Sequence, residues 1–242
     1  MFSKSLTFMK IQEGLKYLCK SFFDFIYPPF CYTCDERLKE SERLVCEKCW
    51  NSFKTYEGGI KIEKKELNIP GKTNFSECYS IYNYNEKTLK LIHIFKYSKK
   101  SSLSIRMGKK LGEVIKKNNF EKKFDMIIPV PLHKSRERER GFNQSDLLSR
   151  FASSESGIPL FKNIVIRTKN NKSQSQLSYK ERIENVKNIF RVKHPEMIKD
   201  KEIILIDDII TTGLTVNSCC GELKKHGVKE IICMAVIHPV EK

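Results

Sequence analysis

Nowhere in the 242 residues does an apolar run approach the roughly 18 needed to cross a bilayer as a helix, so a membrane-spanning protein is not expected. Near the start, Phe8, Ile11, Leu15, Leu18, Phe22 and Phe25 recur at helical spacing. Lys10, Gln12, Glu13 and Lys16 break up any apolar centre there, so residues 1–27 predict an amphipathic helix and not a targeting segment. No G-x-x-x-x-G-K-[ST] occurs, which excludes a P-loop nucleotide site. Acidic residues are scarce, 29 against 45 lysines and arginines, for a formal charge of +16. That sign suits phosphate-rich small molecules locally and nucleic acid more broadly, or else lysine-rich solvated surfaces. The nine cysteines are an odd number and four stand in C-x-x-C pairs, which argues against a disulfide framework and for metal in a reducing, cytoplasmic setting.

The stretch Ile203 to Thr215, I-I-L-I-D-D-I-I-T-T-G-L-T, organises the rest. Four apolar, mostly β-branched residues stop on two carboxylates, the pattern of a parallel strand buried on both faces. Thr211, Thr212, Gly213, Leu214 and Thr215 lead into a helical pattern from Val216 to His226. Backbone amides at such a helix start wrap a phosphate, and the helix dipole of about +0.5 charge favours the anion. Asp207 and Asp208 would repel a phosphate, so they suit vicinal hydroxyls or a metal that those hydroxyls also ligate. A sugar phosphate fits both halves. A capped strand-loop-helix turn with two solvated aspartates is the plainer alternative.

Cys31-x-x-Cys34 and Cys46-x-x-Cys49 are separated by eleven residues. Each pair sets two thiolates on one tight turn, and two such turns complete a tetrahedral zinc site. No histidine is near and no position is left open, so the zinc is expected to be structural. The segment has too few apolar residues to fold unaided, and metal supplies about 10–16 kcal/mol in comparable finger peptides. Residues 28–56 therefore read as a four-cysteine zinc ribbon, with Trp50 and Phe53 capping its core.

Residues 57–74, with Gly58-Gly59 and Pro70-Gly71, read as a polar linker, and 75–242 as an α/β domain. Between Lys87 and Lys123 two amphipathic helices carry twelve basic residues and two acidic ones, without the interleaved aromatics of a base-stacking surface. Asp125 to Val130 reads as a second buried strand, running into Pro131, Leu132, His133 and Lys134. Prolines on either side of Val130 are awkward for a central ladder. A rigid bend at the carboxyl end of a parallel strand is a favoured ligand position, and the basic side chains there, Arg136 and Arg140 foremost, suit a diphosphate. The run T-K-N-N-K-S-Q-S-Q-L-S-Y from Thr168 is long and polar enough for a lid. Cys19, Cys78, Cys219, Cys220 and Cys233 are expected to be packing residues.

Taken in order, the amino-terminal helix, the four-cysteine ribbon, P-V-P-L…R-G-F-N-Q, Q-x-Q-L-S-x-x-x-R-x-x-N and D-D-x-x-T-T-G-x-T resemble the ComF (competence protein F, amidophosphoribosyltransferase-like) family over nearly the whole chain. The resemblance implies a type I phosphoribosyltransferase fold, a parallel sheet flanked by helices with a hood, and a ligand, phosphoribosyl pyrophosphate (PRPP) with Mg²⁺. By it, Asp207 and Asp208 are the ribose-binding and catalytic acids, Thr211 to Thr215 hold the 5′-phosphate, and Pro131 to Lys134 hold pyrophosphate. The covering basic residue of a mobile loop would be Lys169 or Lys172. The activity implied is transfer of phosphoribosyl to a nucleobase or amine with loss of pyrophosphate. The competing reading is a non-catalytic accessory of natural competence that binds PRPP, single-stranded DNA or other competence proteins.

Overall fold

In the computed structural model residues 29–97, 101–170, 181 and 184–239 are described. The expected helix over 1–27 lies outside them, as do Lys172 and most of the polar run after Thr168. The chain divides into two units, 1–52 and 53–242.

In the first unit the described residues fold around the cysteines, with one short helix, α1 (Glu47–Ser52), after the second pair. Short bridges between Phe30 and Arg37 and between Arg43 and Val45 set the two turns. Leu38, Val45 and Trp50 are its buried apolar side chains beside the cysteines, a very small core.

The second unit is built on a five-stranded sheet. Its strands are β1 (Thr55–Lys61), β2 (Glu77–Tyr82), β3 (Met126–Pro129), β6 (Glu202–Ile206) and β7 (Glu230–Ile237). They lie in the order β1-β2-β7-β6-β3, parallel except for β1, which runs antiparallel to β2. β6 and β7 are central, and from Ile203 to Ile206 and Ile231 to Ile237 every side chain is buried. This is why both read as unbroken apolar runs. β3 takes the outer place beside β6. Val130 donates its N–H to Ile206, whereas Ile127 donates the other way, to Pro159. Pro129 and Pro131 share the phase of Ile127, so their missing N–H groups fall on the outward side and the ladder to β6 loses nothing.

The stretch 57–74, read from its sequence as a linker, begins with most of β1, paired to β2 across an irregularity between Thr55 and Ile60. The strand is largely exposed and Gly59 sits at φ +77°, so neither alternation nor β-propensity marks it.

Helices α2 (Glu86–Tyr97), α3 (Leu103–Lys117), α4 (Lys134–Arg140), α5 (Gln144–Ser156) and α6 (Leu214–Lys225) accompany the sheet. Asn85 and Thr88 exchange hydrogen bonds of 2.9 Å at the start of α2, a reciprocal cap. Gly108 and Gly112 let α3 meet α5 at backbone distance: a Cβ on them would stand 2.6 Å from the Phe151 Cβ and 2.4 Å from the Glu155 Cβ. A separate hairpin, β4 (Val165–Arg167) with β5 (Phe190–Val192), stands apart from the main sheet. Among the described residues no helix is long and apolar enough to cross a membrane.

Candidate functional site

The site forms where β3 and β6 end. β7 carries the backbone beyond β6: Asp207 N–H donates to Met234, Ile210 N–H to Ile237, and Val236 N–H to Asp208. The acid pair is thus laid along a strand and not left on a free loop. Gly213 caps α6 at φ +75°, a left-handed conformation suited to glycine. A Cβ there would approach Ile69 Cδ1 to 2.9 Å, so its smallness serves conformation and packing on Ile69. The first amides of a helix have no acceptor within it. In the same loop the Thr212 hydroxyl is buried without a partner among the described residues.

β3 and α5 supply the facing wall. Asn143 caps α5 by accepting from Ser145 N–H at 3.2 Å, and its Nδ2 donates to Val130 O at 3.1 Å. That tie brings Ser145 Oγ to within 2.8 Å of Asp207 Oδ1, which also accepts from Asp208 N–H at 2.8 Å. Burial and then the charge of Asp208 push Asp207 up to about 6, against the opposing pull of Lys96, Ser145 and the Asp208 amide. From the last turn of α2, Lys96 Nζ reaches Asp208 Oδ2 at 3.2 Å, and both side chains are mostly buried.

Arginines make the third wall. Arg140 donates to Gln144 Oε1 at 3.1 Å and stacks 5.3 Å from the Tyr97 ring centre. Arg167, at the end of β4, is held below its ordinary range by burial, then by the positive charges of Arg136 and Arg140. Its Nε and the Nε2 of Gln144 are buried without partners among the described residues.

Together these groups enclose a cavity of about 620 Å³. Of the residues singled out from sequence, Asp207, Asp208, all five from Thr211 to Thr215, Pro131, Leu132, Arg136 and Arg140 border it. His133 and Lys134 do not: His133 turns to Ser135, capping α4, and Lys134 is exposed. Lys169 is exposed and also off the cavity. Missed by sequence were Lys96, Gln144, Ser145 and Arg167. Gln144 belongs to the R-G-F-N-Q segment, a usable signal; Lys96 and Arg167 stood in an undifferentiated basic tract and at a strand end.

The basic tract is less of a free field than its composition suggests. Lys96, Lys110, Lys116, Lys117 and Lys123 each pair with a carboxylate, and Glu57, Glu155 and Glu230 come from far along the chain.

In the first unit the sulfurs of Cys31, Cys34, Cys46 and Cys49 all lie within 4.8 Å of one another, with Cys34 and Cys46 at 3.8 Å. Two thiolates about 2.3 Å from one tetrahedral zinc stand about 3.8 Å apart, so the arrangement fits that ion. Amides of Cys46 and Cys49 donate to the sulfurs of Cys31 and Cys46 at 3.4 Å, supporting thiolate charge. In the second unit Cys78, Cys219, Cys220 and Cys233 are all buried, with Cys220 and Cys233 sulfurs 3.5 Å apart.

Residues 144–242 match the family model described as a phosphoribosyl transferase domain, and residues 22–60 that of a double zinc ribbon domain. The described residues contain one four-cysteine group of that kind. Competence protein F of Haemophilus influenzae is 30% identical over 213 residues, covering 83% of this chain and 93% of that one. Competence protein ComFC of Bacillus subtilis is 29% identical over 197 residues, 81% of this chain and 78% of its own. DNA utilization protein YhgH of Escherichia coli K12 is 26% identical over 225 residues, 90% and 94% of the two chains.

Proposed function

This chain belongs to the competence protein F family, with the phosphoribosyltransferase fold, and on that premise we propose that its pocket binds Mg-PRPP and transfers the phosphoribosyl group to a nitrogen acceptor. One observation carries the reading. Three buried donors without partners, Arg167 Nε, Gln144 Nε2 and Thr212 Oγ1, border a single cavity beside a carboxylate pair. A buried unpaired donor is destabilising by about 1–3 kcal/mol, so a pocket with several calls for a ligand rich in acceptors. Phosphates supply acceptors only, and ribose hydroxyls supply the donors that Asp207 and Asp208 need.

On this reading the 5′-phosphate rests on the Thr211–Thr215 loop and the ribose hydroxyls face the two acids. Pyrophosphate lies along Pro131 and Leu132, under Arg136, Arg140 and Arg167. The acceptor nitrogen bonds to C1 as the C1–O bond breaks, its electron pair leaving on pyrophosphate, which takes up the acceptor's proton. The arginines stabilise the departing charge, and Asp207 and Asp208 offset positive charge on the ring. The carboxylate oxygens fit Mg²⁺, which would be held there together with substrate oxygens and supplies further neutralisation. Ser145 fixes the orientation of Asp207, and Lys96 pairs with Asp208 in a buried setting.

The relatives' names, competence and DNA utilization, support a second reading in which the ligand is held without turnover. Single-stranded DNA or other competence proteins would then meet the ribbon or the Lys87–Lys123 tract. Pyrophosphate release from Mg-PRPP, measured with pooled nucleobases and amines, separates the two. Acceptor-dependent release is expected; tight Mg-PRPP binding with no release above the blank would leave only the accessory reading.

A further inference from the structure

A second cavity, of about 920 Å³, opens at the carboxyl ends of β2 and β7. It shares Leu89, Ile209 and Thr211 with the first, so the two meet across the loop that follows the acid pair. His238, just past β7, lines it and is 7% exposed. The His238 Nδ1 lies 2.6 Å from the Ile210 carbonyl, which only accepts, so Nδ1 carries the proton and donates. In that tautomer Nε2 is a bare acceptor, and it is buried with no partner among the described residues.

The remaining walls define what such an acceptor would receive. Ile60, Ile62 and Pro239 are apolar, and Tyr84, 45% exposed, offers a ring at the rim. Of the charged residues lining it, Lys61 pairs with Glu77, and the Glu66 carboxylate, which accepts from Glu63 N–H at 2.7 Å, is exposed to water. A second phosphate would therefore find no unpaired cation among the described lining residues, and an alkylammonium only a carboxylate screened by water. A mostly apolar slot, with Ser80, Asn83 and Thr211 in its lining and His238 Nε2 as a buried acceptor without a partner among the described residues, suits a neutral ring carrying N–H.

We propose that this cavity is the acceptor pocket and that its ligand is a nucleobase-class heterocycle, which donates N–H to His238 Nε2 and lies between Ile60 and Tyr84. The assignment rests on the phosphoribosyl reading for its placement beside C1 and on His238 for its chemistry. It also binds specificity to the first site, because the same imidazole holds Ile210 in the loop that carries the phosphate.

The test is calorimetric titration of the full chain with adenine, guanine, hypoxanthine, uracil and cytosine, each with and without Mg-PRPP, with Mg-PRPP alone titrated in parallel. At least one base is expected to bind. His238→Phe, which removes the acceptor, and Ile60→Trp, which fills the slot from the edge strand, should each weaken that base about tenfold or more, the size of one lost hydrogen bond. Ile60→Trp should leave Mg-PRPP affinity within about twofold, which also shows that it folds. Failure of every base to bind in either condition, or undiminished base binding by Ile60→Trp, overturns the pocket assignment. Absence of heat with Mg-PRPP alone overturns the phosphoribosyl reading instead.

Discussion

Replacing Asp207 with Asn should make the ligand-free protein more stable at neutral pH while ruining its site. Asp207 is raised from 3.8 to about 6, chiefly by burial and then by Asp208. A carboxyl raised on folding contributes stability below its unfolded value, and that contribution is lost as pH climbs through the folded value. The rise is roughly two units at about 1.36 kcal/mol each, so ionising Asp207 in the native state destabilises it by on the order of 2–3 kcal/mol above about pH 6. Asparagine removes the charge and keeps the geometry, since its Oδ1 can accept from both Ser145 Oγ and Asp208 N–H, now at 2.8 Å each. Thermal denaturation without ligand should put Asp207→Asn roughly 5–10 °C above wild type near pH 7.5. The gap should narrow toward about pH 4, where wild type is itself protonated in the fold. Equal melting temperatures at both pH values, or a mutant less stable at the higher one, would refute the idea that the acid pair is held under electrostatic strain.

Other perturbations reach different parts of the molecule. Metal analysis should give about one zinc per chain in wild type and none in Cys34→Ser, since a closed four-thiolate site has no spare ligand; Mg-PRPP affinity of the second unit reports separately on that unit. Arg167→Met should weaken pyrophosphate binding by about 1.5–3 kcal/mol, the range for a hydrogen bond to a charged group, and leave ribose 5-phosphate binding nearly unchanged in the same calorimeter. Gly213→Ala should lower stability by about 1–2 kcal/mol in denaturant titrations, because alanine resists the left-handed conformation at φ +75° and would press on Ile69.

What could be read from sequence was whatever chemistry lies contiguous along the chain. The strand, acid pair and small-residue loop from Ile203 to Thr215 announce themselves because one strand end and one helix start compose most of that wall. The two cysteine pairs do so because each ligand turn is local. Lys96 and Arg167 could not be singled out: a helix end and a hairpin strand bring them to the site, and nothing local distinguishes them from neighbouring cations. β1 was hidden for the opposite reason, being an exposed edge strand with Gly58-Gly59 whose identity comes from its pairing with β2. The Lys87–Lys123 tract was misleading as bare charge, since Glu57, Glu155 and Glu230 reach it only in three dimensions. Cys78, Cys219, Cys220 and Cys233 are buried as expected of packing residues, but the approach of Cys220 to Cys233 is a property of α6 lying on β7.

The central claim is that a sugar diphosphate sits across the ends of β3 and β6. Calorimetric titration with PRPP, with and without Mg²⁺, tests it most directly, using wild type beside Asp207→Ala with Asp208→Ala. The account predicts saturable heat for wild type, tighter with Mg²⁺, and a loss in the double variant of about 1–3 kcal/mol for each ribose hydroxyl left unpaired. No heat in wild type, or undiminished binding in the double variant, would contradict it.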